Sequence, residues 1–513
     1  MSFVSLSFII FVLVTLFLYY CVIPKSLQWI LLLIASYGFY WMGGGKTILY
    51  LVVTTLSIYI AGLVLEKLNK QSKAEKDKIK RIRLQKKLVV FLVALGNFGM
   101  LFFAKYANEI IGFLQPFVHG QGKPIDLLQP LGISYFIFQS VGYVIDCYRG
   151  KYPVERNLGK LALFVSFFPQ IVQGPIARHR DLAPQLMSTH QLDWDNLKYG
   201  IQLILWGYFK KLVIAERAGV VVNTVLADYT NYSGGMIVAS IFFYCIQLYC
   251  DFSGGIDITR GVAQMFGIHL AENFRRPIYA TSLADYWRRW HITLGQWMKD
   301  YVFYPLSFSK PFAKFGKWTR RHVPGKLGKL IPAACATFVV YFFIGIWHGT
   351  SLKYFAFWNA TIITASFLLE GWYPKMAKKL HLPTETLAWK IFQVFRTGIL
   401  VFFGRYLTRA PHFMAALWMM KQSVTNFSFS CFLDGTMLNL GLTAVDYIVM
   451  FVCMGTVLFV ELLQEKGIEI RKTLEQKSTL VQFFAVFFLV NTILLFGVFL
   501  RGDIPTGFIY QQF

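Results

Sequence analysis

The chain has 513 residues, 56% of them hydrophobic and only 15% charged, and it carries a formal net charge of +25. That balance excludes a soluble globular protein. It also excludes a nucleic-acid surface as the reason for the positive charge. The basic residues fall in short loops between apolar runs, where the positive-inside rule puts them, and some can touch anionic lipid headgroups.

Taken in order, the apolar runs lie near 6–23, 28–42, 46–66, 88–106, 131–148, 197–220, 235–265, 332–347, 352–372, 391–408, 442–465 and 480–500. Runs of this length cross a hydrocarbon core as helices, because lipid offers no partner to peptide N–H and C=O groups. A barrel would instead show short alternating segments. The first run has no basic region before it and no small-residue cleavage site after it, so it reads as a retained helix and not as a signal peptide. The most basic connection follows the third run, with Lys67, Lys70, Lys73, Lys76, Lys78, Lys80, Arg81, Arg83, Lys86 and Lys87, and it also reads as a solvated helical extension. It belongs on the cytoplasmic side, which places both termini outside.

The run from Leu131 ends in Asp146, Arg149 and Lys151. The next, Leu161–Gln185, is interrupted by Pro169, Gly174 and Pro175, so it reads as a re-entrant or buried segment. After the runs at 197–220 and 235–265 comes a long basic connection from His269 to Lys329. There aromatics alternate with Arg275, Arg276, Arg288, Arg289 and Lys299, as in a helix lying at the membrane interface. The next run starts at the same cytoplasmic face and leads outward to His348, with a turn expected at Gly349–Ser351. The seven cysteines show no CxxC spacing and read as small buried hydrophobes, without a disulfide framework or a metal site. No repeat or linker marks a second domain, so 1–513 reads as one integral membrane domain.

Chemistry concentrates between Asp251 and Gly349. His348 closes the apolar segment Ala333–Trp347, and a neutral imidazole there suits a general base. A satisfied interior histidine is the competing reading. His291 sits among Arg288, Arg289 and Trp290, where a headgroup contact competes with function. Asp251 and Asp257 interrupt an apolar run and require partners, for which Arg260 is a candidate. No GxSxG, HExxH or P-loop pattern occurs.

Five motifs then stand in one order. They are Leu131–Gln139, Phe168–Ile176, Cys250–Gly254, Trp287–Leu294 (Trp287, Arg288, Arg289, Trp290, His291, Ile292, Thr293, Leu294) and Gly345–Gly349. Together, and with the terminal Phe508–Phe513, they closely resemble the membrane-bound O-acyltransferase family. Within it they are similar to the bacterial branch that acetylates exported polysaccharides such as alginate. The resemblance implies an all-α polytopic fold, a ring of about 11–13 transmembrane helices plus re-entrant and interfacial helices around a central tunnel. It implies His348 and His291 as the catalytic pair. His348 would take the proton of an acceptor hydroxyl, and His291 would position a substrate and stabilise the oxyanion. The residues expected to contact substrate are Trp347, Trp290, Asn273, Asp257, Arg288 and Arg289.

No bound cofactor is expected; a thioester such as acetyl-CoA is the donor, with its phosphates on Arg275, Arg276, Arg288 and Arg289. The implied acceptor is an exported polysaccharide, reached directly or through an esterase-like partner protein outside a bacterial plasma membrane. Where relatives carry tyrosine and serine, this chain has Gly255 and Ile256, which alters the lining there. A transporter or flippase, or a scaffold of an export complex, are the rival readings; no inverted repeat supports the former.

Overall fold

The computed structural model describes residues 2–114, 130–349, 353–369, 371–501, 504–505 and 507–508. Most of the turn at Gly349–Ser351 and of the terminal motif Phe508–Phe513 lies outside them. The described residues are helical apart from connections and a two-residue antiparallel ladder, Leu500–Arg501 with Ile504–Pro505. Among the described residues, seven helical runs are long and apolar enough to cross a membrane: Lys25–Ala74, Ile79–Asn108, Gly234–Met265, Leu327–Trp347, Leu387–Arg409, Ala444–Glu465 and Thr479–Phe496. Two shorter apolar helices, Leu6–Val22 and Phe357–Leu368, accompany them. The chain is a multi-pass membrane protein of all-helical fold.

The apolar runs expected at 131–148 and 197–220 are helical as well. The first is Ile133–Tyr148. The second is Trp194–Tyr208, which continues through a π-helical turn at Phe209–Ala215 into Glu216–Ala227. A helix at Phe413–Thr425 has no counterpart among the expected runs. The chain divides into two compact units, Met1–Leu205 with Gly255–Ala271 and Phe499–Gln512, and Trp206–Gly254 with Glu272–Val498 and Phe513.

In the first unit, Gly45 adopts φ 51° and separates Gln28–Gly44 from Ile48–Ala74. The basic connection that follows is itself mostly helix. Ile48–Ala74 runs on through Lys67, Lys70 and Lys73, one turn at Lys76–Lys78 intervenes, and Ile79–Leu114 begins among further lysines and arginines. Lysine and arginine are good helix formers, so the helices extend past their apolar parts.

The interrupted segment behaves as its prolines and glycine require. Leu158–Ser166 is helical, residues 167–178 are not, and His179–Met187 resumes. The non-helical stretch is buried at Phe167, Phe168, Gln170, Ile171, Val172 and Gln173. Buried glutamines supply partners: Gln139 donates to the Phe164 carbonyl, and Gln170 donates to the Pro175 carbonyl and to Gln139 Oε1. Irregular backbone at this depth survives only where protein groups replace the missing ladder. Gly132, with φ 65°, lies against this stretch; a Cβ there would stand 2.0 Å from the Ile171 carbonyl oxygen.

In the second unit, polar groups in the long helix are paired side by side. Lys211 reaches both Asp251 and Glu216, and Lys210 donates to Ser253 Oγ at 2.9 Å. Asp251 therefore uses Lys211, not the arginine expected from the sequence. Small residues allow the close crossing behind it, since a Cβ on Gly254 would lie 2.8 Å from the Gly207 carbonyl oxygen. Lys310–His322, further along the basic connection than the Tyr286–His291 and Trp297–Leu306 stretches expected to lie at the interface, is a basic helix. It docks on Leu327–Trp347 through Gly316 and Thr319, whose hydroxyl donates to the Gly328 carbonyl at 2.8 Å.

Two glycines of the first unit separate backbone strain from steric conflict. Gly150 has φ 69° with nothing within 4 Å of a would-be Cβ, so Gly150→Ala should cost only the left-handed penalty of about 1–2 kcal/mol. Gly132→Ala adds the collision with Ile171 and should lower the thermal unfolding temperature in detergent markedly more. Equal shifts for the two would contradict this packing.

Candidate functional site

The site is built in the second unit around two chain segments that lie antiparallel for a few residues. Leu283–Arg289 starts at Ser282, whose hydroxyl accepts from Asp285 N–H at 3.1 Å. After it, Trp290 forms a bridge with Phe274, Arg275 N–H donates to the Arg289 carbonyl at 2.9 Å, and Ile292 N–H donates to the Asn273 carbonyl at 3.0 Å. His291 stands at the bend with φ 48° and ψ 52°, in the left-handed region, and turns the chain into Ile292–Met298. A non-glycine residue held there carries about 1–3 kcal/mol of strain, which the flanking bonds must offset.

Asn273 is wholly buried, at 0% exposure, and its Oδ1 gathers three contacts. Thr293 N–H donates to it at 3.0 Å, Thr293 Oγ1 at 2.9 Å, and His291 Nδ1 lies 3.3 Å away. A backbone N–H can only donate, so the atom it meets is the amide oxygen. A ring nitrogen facing that same oxygen must carry the proton. The neutral ring is then the Nδ1–H tautomer, and Nε2 bears the lone pair.

His291 is 2% exposed. Phe252 meets its ring edge-on at 5.0 Å between centroids, and Trp347 lies at 6.1 Å. Burial in this apolar shell pushes the imidazole pKa down to about 3. The ring is therefore neutral at physiological pH. The sequence pattern, with arginines on one side, had allowed a surface histidine; the structure buries it.

His291 lines a cavity of about 810 Å³. Its apolar wall is Trp287, Trp290, Leu294, Met298, Val340, Tyr341, Ile344 and Ile363. Its charged part holds five basic residues, Arg275, Arg276, Arg288, Arg289 and Lys299, against two acidic ones, Asp285 and Glu465. Glu465, at the end of the Ala444–Glu465 helix, accepts from Arg276 at 2.8 Å and from Arg289 at 2.9 Å, and Arg289 also donates to Asp285 at 3.0 Å. Arg275 and Arg288 are 59% and 69% exposed at their side chains; Arg275 meets Glu272 and Arg288 meets Asp285. Two arginines thus build the wall, and two stand toward solvent.

His348 caps the Leu327–Trp347 helix, its N–H bonded to the Ile344 carbonyl at 3.0 Å. It is half-buried and not part of the cavity lining. The buried Trp347 indole lies against both histidines, 4.2 Å from the His348 ring and 6.1 Å from that of His291. Of the other expected contact residues, Trp290, Arg288 and Arg289 line the cavity, and Asn273 sits under His291. Asp257 belongs to the first unit, where it faces Arg260 at 3.9 Å.

The sequence reading had not singled out Glu465 or Arg405. Arg405 is 4% exposed in a spanning helix; it donates to Tyr286 Oη at 2.7 Å and lies 5.3 Å from the Trp290 ring centre, bracing the cavity wall by cation–π contact. An ionisable residue within an apolar run was the available signal for both.

A multi-pass helical protein that encloses a basic-rimmed cavity at a buried neutral histidine is the class this geometry defines. Residues 154–408, about half of the chain, match MBOAT, the membrane-bound O-acyltransferase family, and the chain belongs to that family. It is similar to the probable alginate O-acetylase AlgI of Pseudomonas syringae pv. tomato, with 34% identity over 326 residues, covering 62% of this chain and 59% of the relative. The peptidoglycan O-acetyltransferase of Helicobacter pylori is 28% identical over 366 residues, covering 66% of this chain and 65% of the relative. The teichoic acid D-alanyltransferase of Bacillus subtilis is 28% identical over 262 residues, covering 49% and 62%. The chain spans less than two thirds of the length of each of these relatives.

The depressed pKa of His291 has a signed consequence for stability. Between its unfolded value, about 6.5, and about 3, the unfolded chain binds a proton that the folded chain does not. Stability contributed by His291 is therefore complete above pH 6.5 and falls on acidification, by up to about 1.4 kcal/mol per pH unit. Thermal unfolding followed from pH 8 to pH 5 should show this loss, and His291→Gln should remove that component of the slope.

Proposed function

We propose that this protein transfers an acetyl group from a cytoplasmic thioester, most simply acetyl-CoA, to hydroxyl groups of an exported polysaccharide, directly or through an extracytoplasmic partner protein. The observation that carries the reading is the cavity at His291, basic and solvent-facing at one part, apolar at the other, with the second histidine one indole away. A donor with a polyanionic head and a slender uncharged arm has the matching polarity. The excess of lysine and arginine in the same connection supports a cytoplasmic side for this cavity and an outer position for both termini.

In this mechanism the exposed Arg275 and Arg288 take the donor phosphates, while Arg276 and Arg289, held by Glu465 and Asp285, shape the wall. His348 accepts the proton of the acceptor hydroxyl as its oxygen bonds to the thioester carbonyl carbon. The carbon–sulfur bond then breaks, and the proton passes to the leaving thiolate. His291 takes part as a hydrogen-bond acceptor. With Nδ1–H engaged by Asn273, the neutral ring presents a lone pair at Nε2, which suits orienting a donor N–H or the attacking hydroxyl and does not suit an oxyanion. That argument replaces the oxyanion role expected from the resemblance.

The alginate and peptidoglycan acetylating relatives support a polymer acceptor and the D-alanyltransferase a cell-envelope one, by their names alone. The decisive experiment is reconstitution with radiolabelled acetyl-CoA, alongside acetyl analysis of the polymer exported by producing cells. His348→Ala should insert and purify normally yet lose at least about 100-fold in transfer. Normal acetylation by that variant would overturn the reading and leave the transporter or scaffold. Separately, Arg275→Ala with Arg288→Ala should raise the donor KM about tenfold with little change in kcat.

A further inference from the structure

The amide under His291 has a role distinct from substrate contact. We propose that Asn273 is a positioning residue that fixes His291 in its Nδ1–H tautomer and so leaves the ring's lone pair on Nε2. The inference rests on the transferase reading only for its kinetic consequence; the tautomer itself is a property of the folded chain.

Three observations carry it. Asn273 cannot rotate its amide without loss, because Oδ1 accepts from Thr293 N–H, an obligate donor that a flipped NH2 would face, and from Thr293 Oγ1. The backbone is equally committed, since Asn273 O accepts from Ile292 N–H and the Phe274–Trp290 bridge is adjacent. The left-handed bend at His291 then brings Nδ1 to 3.3 Å from that oxygen. An acceptor with no protonation state of its own selects one tautomer without charging the ring. A carboxylate in its place would select the same tautomer but would also favour imidazolium.

The surrounding charges do not duplicate this effect. Asp251 on the long helix is bound to Lys211. Lys210, on the turn behind it, donates to Ser253. Arg288 and Arg289 are bound to Asp285, Glu465 takes Arg289 and Arg276, and Glu272 takes Arg275. His348 lies across the Trp347 ring. Phe252, Trp347 and the Asn273 amide oxygen meet the His291 ring.

The test separates the tautomer from the activity. Nitrogen-15 spectra of histidine-labelled protein in detergent, with His291 assigned by its loss in His291→Gln, should report Nδ1–H in the wild type. An Nε2–H ring in the wild type overturns the proposal whatever the activity. Asn273→Leu should release the tautomer and lower kcat by about 10–100-fold with the donor KM unchanged, the usual scale for losing a group that orients a reactive side chain. Asn273→Asp should keep the tautomer, recover most of the rate near pH 8, and move the acid limb of the pH–rate profile to higher pH by at least one unit.

A folded Asn273→Leu protein with wild-type kcat and pH profile overturns the proposal. Should that variant not fold, the wild-type tautomer and the Asn273→Asp profile still decide. An Nδ1–H ring in a protein that transfers no acetyl group would overturn the function proposed above and leave the positioning intact.

Discussion

Hydrocarbon offers no hydrogen bonds, and that single constraint explains most of what is ordered here. Long helices satisfy their own backbones. At two buried departures from helix, a side chain takes over. Gln139 and Gln170 do this for the broken segment around Pro169, and Asn273 does it at the bend that carries His291. Buried charges obey the same logic: Lys211 stands between Asp251 and Glu216, and Arg405 is wrapped by a phenol and two aromatic rings.

The same constraint turns a histidine into a usable group. In water an imidazole near neutrality exchanges charge and tautomer freely. Within the Phe252–Trp347–Asn273 pocket both are fixed, the charge by exclusion of water and the tautomer by an amide oxygen. The backbone is left-handed at His291 and at Arg276, and the flanking arginines are directed by Glu272, Asp285 and Glu465. Glu465 then ties this connection to the end of a spanning helix nearly 200 residues away in sequence, giving the cavity one wall that does not depend on local folding.

The sequence disclosed the helices because hydropathy is a local property, and twenty apolar residues have few alternatives. It disclosed the break near Pro169 for the same reason. It disclosed as well that the basic stretch after Leu65 extends the helices into solvent, since lysine and arginine favour helix while keeping the stretch out of lipid. The helix at Phe413–Thr425 is short and mixes polar with apolar residues, so no window singled it out. At the site, His291 and its arginines were visible as a motif. The burial of that histidine was not, because two arginines that look like part of a solvated rim, Arg276 and Arg289, are held in the wall by Glu465 and Asp285. The pairing of Asn273 with His291 depends on two segments meeting across 18 residues, and Glu465 on a far longer separation; neither leaves a periodic trace. Asp257 was legible: a carboxylate in an apolar run requires a partner, and Arg260 one helical turn on faces it at 3.9 Å.

The two helices that flank the basic turn at Lys76–Lys78 are longer than the bilayer needs. Ile48–Ala74 has 27 residues and Ile79–Leu114 has 36, roughly 40 and 54 Å at 1.5 Å per residue, against a hydrocarbon thickness of roughly 30 Å. Nine residues of each, at the ends that face this turn, form a positively charged extension of roughly 14 Å that hydrocarbon does not accommodate. Its cations are held beyond the headgroup plane, within a Debye length of one another, where dilute buffer and physiological salt present different electrostatic landscapes to whatever approaches that face.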